Sequence, residues 1–198
     1  MTSAPFIKNI LMCGVGGQGV ILASDILTTA AMLAGHDVKK SEVHGMAQRG
    51  GSVNTHVRYG TSVSSPLIPI GCANAMLSFE LLESLRYIEF LAPDAFAVVN
   101  LLEIVPTTVS SGPFKYPHDA IEHLRRHVPV TAIDALAVAR GMGSARTANT
   151  VLLGALSTKL EIPEDVWVAA IYRSVPPGTE KVNAMAFTEG RRRSREVE

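Results

Sequence analysis

The stretch Ile10–Leu27, ILMCGVGGQGVILASDIL, passes from an apolar segment through four glycines in six residues into a second apolar segment with no turn-breaker at its start. The segment NILMCG (residues 9–14) reads as a buried strand. From Gly19 to about Gly35 nearly every residue suits a helix, with Val20, Ala23, Leu27, Ala30 and Ala34 along one face. Strand, glycine loop and helix make a βα unit. Gly14, Gly16 and Gly19 satisfy G-x-G-x-x-G, with Gly17 and Gln18 between them. Glycines at this spacing permit a tight turn, close backbone approach and free N–H groups at a helix N-terminus, an arrangement that favours an anion. They equally serve to bring a helix close to a strand, so the motif alone leaves both readings open.

Downstream, strands alternate with helices. HDVKKSEVHG (36–45) reads as a second strand. In GSVNTHVRYG (51–60) Val53, Thr55, Val57 and Tyr59 alternate with polar residues at period two, which predicts a strand with one wet face or a place near an edge. After Pro66 and Pro69 comes ANAMLSFE, then LLESLRYIEFL with helical periodicity, expected to run until Pro93. AFAVVNLL and VPVTAID are further strands, separated by a loop and the short helix AIEHLRRH. ARTANTVLLGALSTKL and PEDVWVAAIYRSV read as two helices. The expected fold is α/β: a mostly parallel, Rossmann-like sheet with helices on both faces, one domain over residues 1–198 with a helical C-terminal portion. From about residue 178 the tail is polar, and RRRSREVE at its end reads as frayed and solvated.

Composition narrows the function. The 198 residues are 47% hydrophobic and 18% charged with zero net charge, so nothing global favours nucleic acid or an anionic membrane surface. No apolar run is long enough to span a bilayer and MTSAPFIKNI lacks the pattern of a signal peptide, which predicts a cytoplasmic location. The two cysteines, Cys13 and Cys72, are too few for a disulfide framework and lack C-x-x-C spacing.

The dinucleotide version of the glycine motif requires an acidic residue about 20 positions further on to hold ribose hydroxyls. Lys39 and Lys40 occupy that region, and Glu42 is the only candidate. SEVHGMAQRGGSV (41–53) instead clusters His44, Gln48, Arg49 and Ser52 around Gly45, Gly50 and Gly51. If the second strand is parallel to the first, this segment shares a rim with the glycine loop, where ligands of parallel sheets bind. Arg49 suits a phosphate or carboxylate, Gln48 offers a directional amide, and Gly50 and Gly51 let another surface come close. A solvated turn with an exposed arginine is the plainer alternative.

GVGGQG followed by SEVHGMAQRGGSV, and then GSARTANTVLLGALS with Gly143, Arg146 and Asn149, resembles the gamma-type domain of the 2-oxoacid:ferredoxin oxidoreductase family, most of all the small beta subunits of its indolepyruvate branch. The resemblance runs through most of the chain, up to the second C-terminal helix. It implies an accessory subunit, inactive alone, docked on a large alpha subunit that carries thiamine diphosphate, magnesium and iron–sulfur clusters. The implied reaction is oxidative decarboxylation of an aryl 2-oxoacid to an acyl-CoA, with coenzyme A as co-substrate and electrons passed to ferredoxin. No catalytic residue is expected in this chain alone. Gly14, Gly16, Gly17, Gln18 and Gly19, with His44, Gln48, Arg49, Gly50, Gly51 and Ser52, are then cofactor-binding or subunit-interface loops that face the thiamine site or shape the coenzyme A pocket. Arg146 and Asn149 extend that rim. A gamma-type subunit for pyruvate, 2-oxoglutarate or a branched-chain 2-oxoacid, a stand-alone nucleotide-binding oxidoreductase, and a non-enzymatic interaction module are the alternatives.

The composition agrees with an accessory role. A four-iron cluster takes four thiolates, which two cysteines do not supply, and no Asp- and Asn-bearing loop of the GDG type is present to hold thiamine diphosphate through magnesium. Cys13 reads as a buried thiol, Asp134 as a helix N-cap, and Trp167 as core or subunit contact. His118, His123 and His127 read as a solvated face rather than metal ligands, and no metal site is expected. A chain that normally docks a large partner is expected to self-associate, as a homodimer, when expressed alone.

Overall fold

Four consecutive residues, Ile10, Leu11, Met12 and Cys13, are fully buried. Alternate side chains leave opposite faces of a strand, so this burial requires cover on both sides of β1, Ile7–Val15. The computed structural model, which describes residues 6–44, 51–113 and 115–197, supplies it. With β2 (Asp37–His44), β3 (Ser52–Gly60), β4 (Ala73–Ser78), β5 (Leu91–Asn100) and β6 (Val130–Ile133), the first strand forms a six-stranded sheet ordered β2-β3-β1-β4-β5-β6. β4, β5 and β6 continue from β1 in parallel, while β3 is antiparallel to both β1 and β2. β2 therefore points the same way as β1, and β3 alone is reversed. The expected mostly parallel α/β sheet is present.

Helices cover both faces. α1 (Val20–Leu33), α5 (Ala135–Gly141), α6 (Ala148–Ser157), α7 (Glu164–Ser174) and α8 (Glu180–Val197) close over Ile10, Met12, Val57, Leu77 and Val98. α2 (Leu81–Arg86) and α4 (Ala120–Arg125) cover Leu11, Cys13, Met76, Ala97 and Val99 on the other side; α3 (Thr107–Ser110) is a single turn between them. α1 opens at Gly19 and its end is closed at Gly35, as the sequence predicts; both glycines are left-handed, at φ 79° and 85°.

Three expectations need correction. β3 has no wet face: His56 is buried against Ile68 of the segment 61–72, and Asn54 is buried against Tyr87. His56 Nδ1 accepts from the Ile68 N–H at 3.0 Å, and Arg58 donates to Asn9 Oδ1 and to the carbonyls of Ser65 and Leu67. Its place, one strand in from the edge, does agree with the sequence reading. α2 stops at Arg86, well before Pro93, and a 3-10 turn at Ile88–Phe90 leads directly into β5. There Tyr87 leaves helical backbone, with its hydroxyl hydrogen-bonded to Ser52 and Asn54.

The tail is the third correction. The segment expected to be frayed continues α8 as far as Val197, and that helix buries Asn183, Ala186, Phe187 and Ser194 along one stripe. The spacing is helical, but the stripe uses small and polar residues where a core helix ordinarily shows large apolar ones. Gly154 of α6 and Gly190 of α8 meet the opposing backbones: an added Cβ at Gly190 would lie 2.7 Å from the Val151 carbonyl carbon, and one at Gly154 2.9 Å from that of Phe187. Outside the stripe, Glu189 pairs with Arg192 and Arg193, which holds its carboxyl down to about 2, and Arg191 bridges to Glu164. Among the described residues, no helix is long and apolar enough to cross a membrane.

Candidate functional site

The glycine loop spans the break between β1 and α1, beside the start of α2. β1 feeds α1 on one face and β4 feeds α2 on the other, so the C-terminal ends of β1 and β4 form the topological switch point, where open α/β sheets bind ligands. Three of the four glycines have separate reasons to be there. A Cβ on Gly14 would lie 2.7 Å from Gln18 Oε1 and 2.8 Å from Phe79 Cβ. Gly17 (φ 98°) and Gly19 (φ 79°) occupy the left-handed region, and a side chain at Gly19 would also strike Asn149 Nδ2 at 2.6 Å. Gln18 turns inward. Its Oε1 accepts from the Val15 N–H at 2.6 Å and its Nε2 donates to the Phe79 carbonyl at 2.9 Å, lacing β1 to the end of β4. The exposed residue of the loop is Gly17.

The parallel direction of β2 brings the second polar segment to the same rim. His44 ends β2 opposite Val53, and Ser52 begins β3 opposite Val15. The Gly16 N–H donates to the Gly51 carbonyl at 2.9 Å, joining the two segments directly. Gln48, Arg49 and Gly50, and the side chain of His44, lie outside the described residues. Ser52 also turns inward: its hydroxyl donates to Glu83 Oε2 and lies 3.0 Å from the Tyr87 hydroxyl.

Asn149 and Arg146 approach from the third side. Asn149 is buried at the start of α6 and donates to the Gly19 carbonyl at 3.3 Å. Arg146 is exposed in the 3-10 turn before α6. A small cavity of about 160 Å³ lies between Gly17, Gln18, Phe79, Asn100, Arg146 and Asn149. Asn100 is fixed there by donating to the Phe79 carbonyl at 3.1 Å and accepting from the Ala135 N–H. On the other flank of the glycine loop, a cleft of about 470 Å³ is bounded by Val15, Gly16, Ile21, Asp25 and Val53. The loop is thus a ridge between two hollows. Exposed Ile21 lies in the first turn of α1, and exposed Val43 and Leu101 stand at the C-terminal ends of β2 and β5, on the same end of the sheet.

Beneath the rim lies a buried polar layer that sequence reasoning missed. Glu80 caps α2 by accepting from the Glu83 N–H at 2.9 Å, and its other oxygen accepts from the Ile104 N–H and the Tyr116 hydroxyl. Burial and the Glu80 carboxylate raise the Tyr116 phenol well above its ordinary range. Glu83 is equally enclosed and bonds Ser52 and Arg86. The available signal was Glu80-x-x-Glu83 directly after a strand, which is capping-box spacing.

Cys13, below Glu83, is no nucleophile. Burial pushes its thiol up to about 12, with a hydrogen bond to Ser78 opposing the shift and the charges of Glu83 and Glu80 adding to it. Asp134 caps α5, and Trp167 is wholly buried against Phe187, in agreement with the sequence reading.

The described residues do not form a cluster or metal site. Cys13 sits near the C-terminal end of β1 and Cys72 just before the start of the parallel β4, so the two thiols lie at opposite ends of the sheet and cannot share a cluster. No group of three His, Cys, Asp or Glu among the described residues is placed to hold a metal. The dinucleotide arrangement fails geometrically as well. β3 lies between β1 and β2, which moves the end of β2 roughly 5 Å further from the glycine loop than in the usual order. Glu42, the sole ribose candidate, is paired with Lys40, which also binds Asp25.

Comparison with known proteins matches this geometry to a family. The pyruvate ferredoxin/flavodoxin oxidoreductase model matches residues 9–193. The chain is similar to indolepyruvate oxidoreductase subunit IorB of Thermococcus kodakarensis, with 40% identity covering 96% of each chain. It is more distantly similar to 2-oxoglutarate synthase subunit KorC of Methanothermobacter thermautotrophicus, with 31% identity covering 93% of each. In fold it resembles the gamma subunit of a keto/oxoacid ferredoxin oxidoreductase from Geobacter sulfurreducens, with a TM-score of 0.70 and 24% identity over 96% of this chain and 99% of that one. With the family model matched over residues 9–193 and a 40% identical relative over nearly its whole length, this protein is a member of the pyruvate ferredoxin/flavodoxin oxidoreductase family.

Proposed function

We propose that this chain is the accessory beta subunit of an arylpyruvate:ferredoxin oxidoreductase, and that its rim docks on a larger subunit carrying thiamine diphosphate, magnesium and iron–sulfur clusters. The observation that carries the reading is the rim itself. Gly17 is exposed at the same end of the sheet as exposed Ile21, Val43 and Leu101, while the polar side chains of Gln18 and Ser52 are turned inward to hold the loops. A surface of glycine backbone and apolar side chains suits a protein wall better than a small polar substrate.

In this reading the chain contributes shape and exclusion of water. Decarboxylation of a 2-oxoacid and one-electron transfer are supplied by the partner's cofactors. Exposed Arg146 provides a cationic group at the docked rim, suited to an anionic co-substrate such as coenzyme A. The aryl preference rests on the 40% identity to an indolepyruvate oxidoreductase subunit; the 31% identity to a 2-oxoglutarate synthase subunit supports a 2-oxoglutarate reading less well.

Anaerobic affinity purification of the tagged chain, expressed with its native genomic neighbours, tests the reading. Recovery with a larger, brown, iron-rich chain is expected. Recovery alone and colourless contradicts it.

A further inference from the structure

We propose that Glu83 is the positioning residue of the rim: its carboxylate, drawn out of an ordinary helix cap, holds Ser52 and so sets Gly51 against the glycine loop. This rests on the docking reading above.

Glu80 is the N-cap of α2 and Glu83 its third helical residue, and the Glu80 carboxylate accepts from the Glu83 N–H. That is half of a capping box, in which the side chain at the third position normally returns to the N-cap N–H. Glu83 does something else. One oxygen accepts from Arg86 Nε at 3.1 Å, and the other reaches across to the Ser52 hydroxyl on β3. The side chain is only 5% exposed. A carboxylate withdrawn this far from water is costly unless each oxygen is hydrogen-bonded, and here it is satisfied from two directions.

The contacts converge on one strand start. Ser52 shares a hydrogen bond with Tyr87, whose hydroxyl also accepts from Asn54 Nδ2 at 2.9 Å. The preceding residue, Gly51, accepts from the Gly16 N–H. The end of the second rim segment is therefore tied to α2 through side chains and to the glycine loop through backbone. Release of Ser52 frees the Gly51 carbonyl to leave Gly16, so a change at Glu83 reaches the docking ridge without touching a partner.

Three variants test this: Ser52→Ala, Glu83→Ala and Glu83→Gln, with the Ser52/Glu83 double alanine variant alongside. Ser52→Ala removes only a hydroxyl, so it reads the link even where Glu83→Ala folds poorly. In the isolated chain, NMR amide exchange at Gly16 is expected to quicken at least tenfold in both alanine variants. It should stay within threefold of the parent in Glu83→Gln, which keeps an acceptor oxygen for Ser52. In anaerobic dye-reduction titrations against the large subunit, at matched folded fraction, both alanine variants should raise the half-saturating concentration about tenfold. The plateau rate should remain within twofold, and the double variant should match the singles.

Unchanged exchange at Gly16 overturns the link. Quickened exchange with an unchanged half-saturating concentration overturns its role in docking, and so does a double variant whose effect is the product of the singles. If the parent chain activates no large subunit, the docking reading has failed, and exchange at Gly16 still decides whether Glu83 holds the rim.

Discussion

Replacing Gly190 with alanine should destabilise the protein even though alanine is the better helix former. The Cβ would meet the Val151 carbonyl group of α6, 2.7 Å from its carbon and nearer to its oxygen, and neither atom can swing away as a side chain tip would. The helices must part by more than about 1 Å to restore ordinary contact distances. Overpacking of this kind costs about 1–3 kcal/mol, and a backbone obstacle puts it near the upper end. Better helix propensity offsets about 1 kcal/mol. The net loss of about 2 kcal/mol corresponds to a melting temperature roughly 4–8 °C lower for a chain of this size. Gly141→Ala is the matched control: it closes α5, a Cβ there meets nothing within 4 Å, and its backbone is not left-handed. That variant should melt at the parent temperature or up to about 3 °C higher. Thermal unfolding followed by circular dichroism measures both. If Gly190→Ala melts at or above the parent, the close crossing of α6 and α8 is wrong.

Loss of the Gln18 amide should also be felt, because its two hydrogen bonds join β1 to the end of β4. Gln18→Ala is expected to lower the unfolding free energy in urea by about 1–3 kcal/mol, and a shift of under 0.5 kcal/mol contradicts the lacing role. Cys13, with its thiol pushed up to about 12, should resist iodoacetamide at pH 8 while exposed Cys72 reacts. Mass spectrometry should find one adduct on the native chain and two after unfolding. His56 is held below its usual pKa by burial, so the unfolded chain takes up a proton that the folded chain refuses. Stability should accordingly fall as pH drops below about 6.5, the unfolded value, and level off once the folded pKa is passed. His56→Gln should flatten that slope in urea titrations at pH 7 and pH 5; an unchanged slope excludes His56 as its source.

The βα unit was legible because glycine placement and apolar spacing agreed: Gly19 opens α1 and Gly35 closes it. α8 was obscured by the chemistry of its buried stripe. Gly190 is inside because backbones touch there and Ser194 because its hydroxyl meets that of Thr158, and a pattern built on large apolar side chains does not register them. The polar face of β3 misled for a related reason. Asn54, His56 and Arg58 looked solvated, yet each has a protein partner, and a sequence does not disclose which loop will fold over a strand. At the site, the structure brings the glycine loop and Ser52 to one rim, with the side chains of Gln18 and Ser52 hydrogen-bonded within the chain. Glu80, Glu83, Tyr87 and Tyr116 went unnoticed, since their burial depends on elements that meet only in three dimensions.

The central claim is that this chain completes a site whose chemistry belongs to a larger subunit. Anaerobic viologen reduction with indolepyruvate and coenzyme A, measured on the large subunit alone and then with this chain added, tests it most directly. Activity that appears only with both chains is the predicted result. Full activity from the large subunit alone, or none from the pair with any 2-oxoacid, contradicts the account.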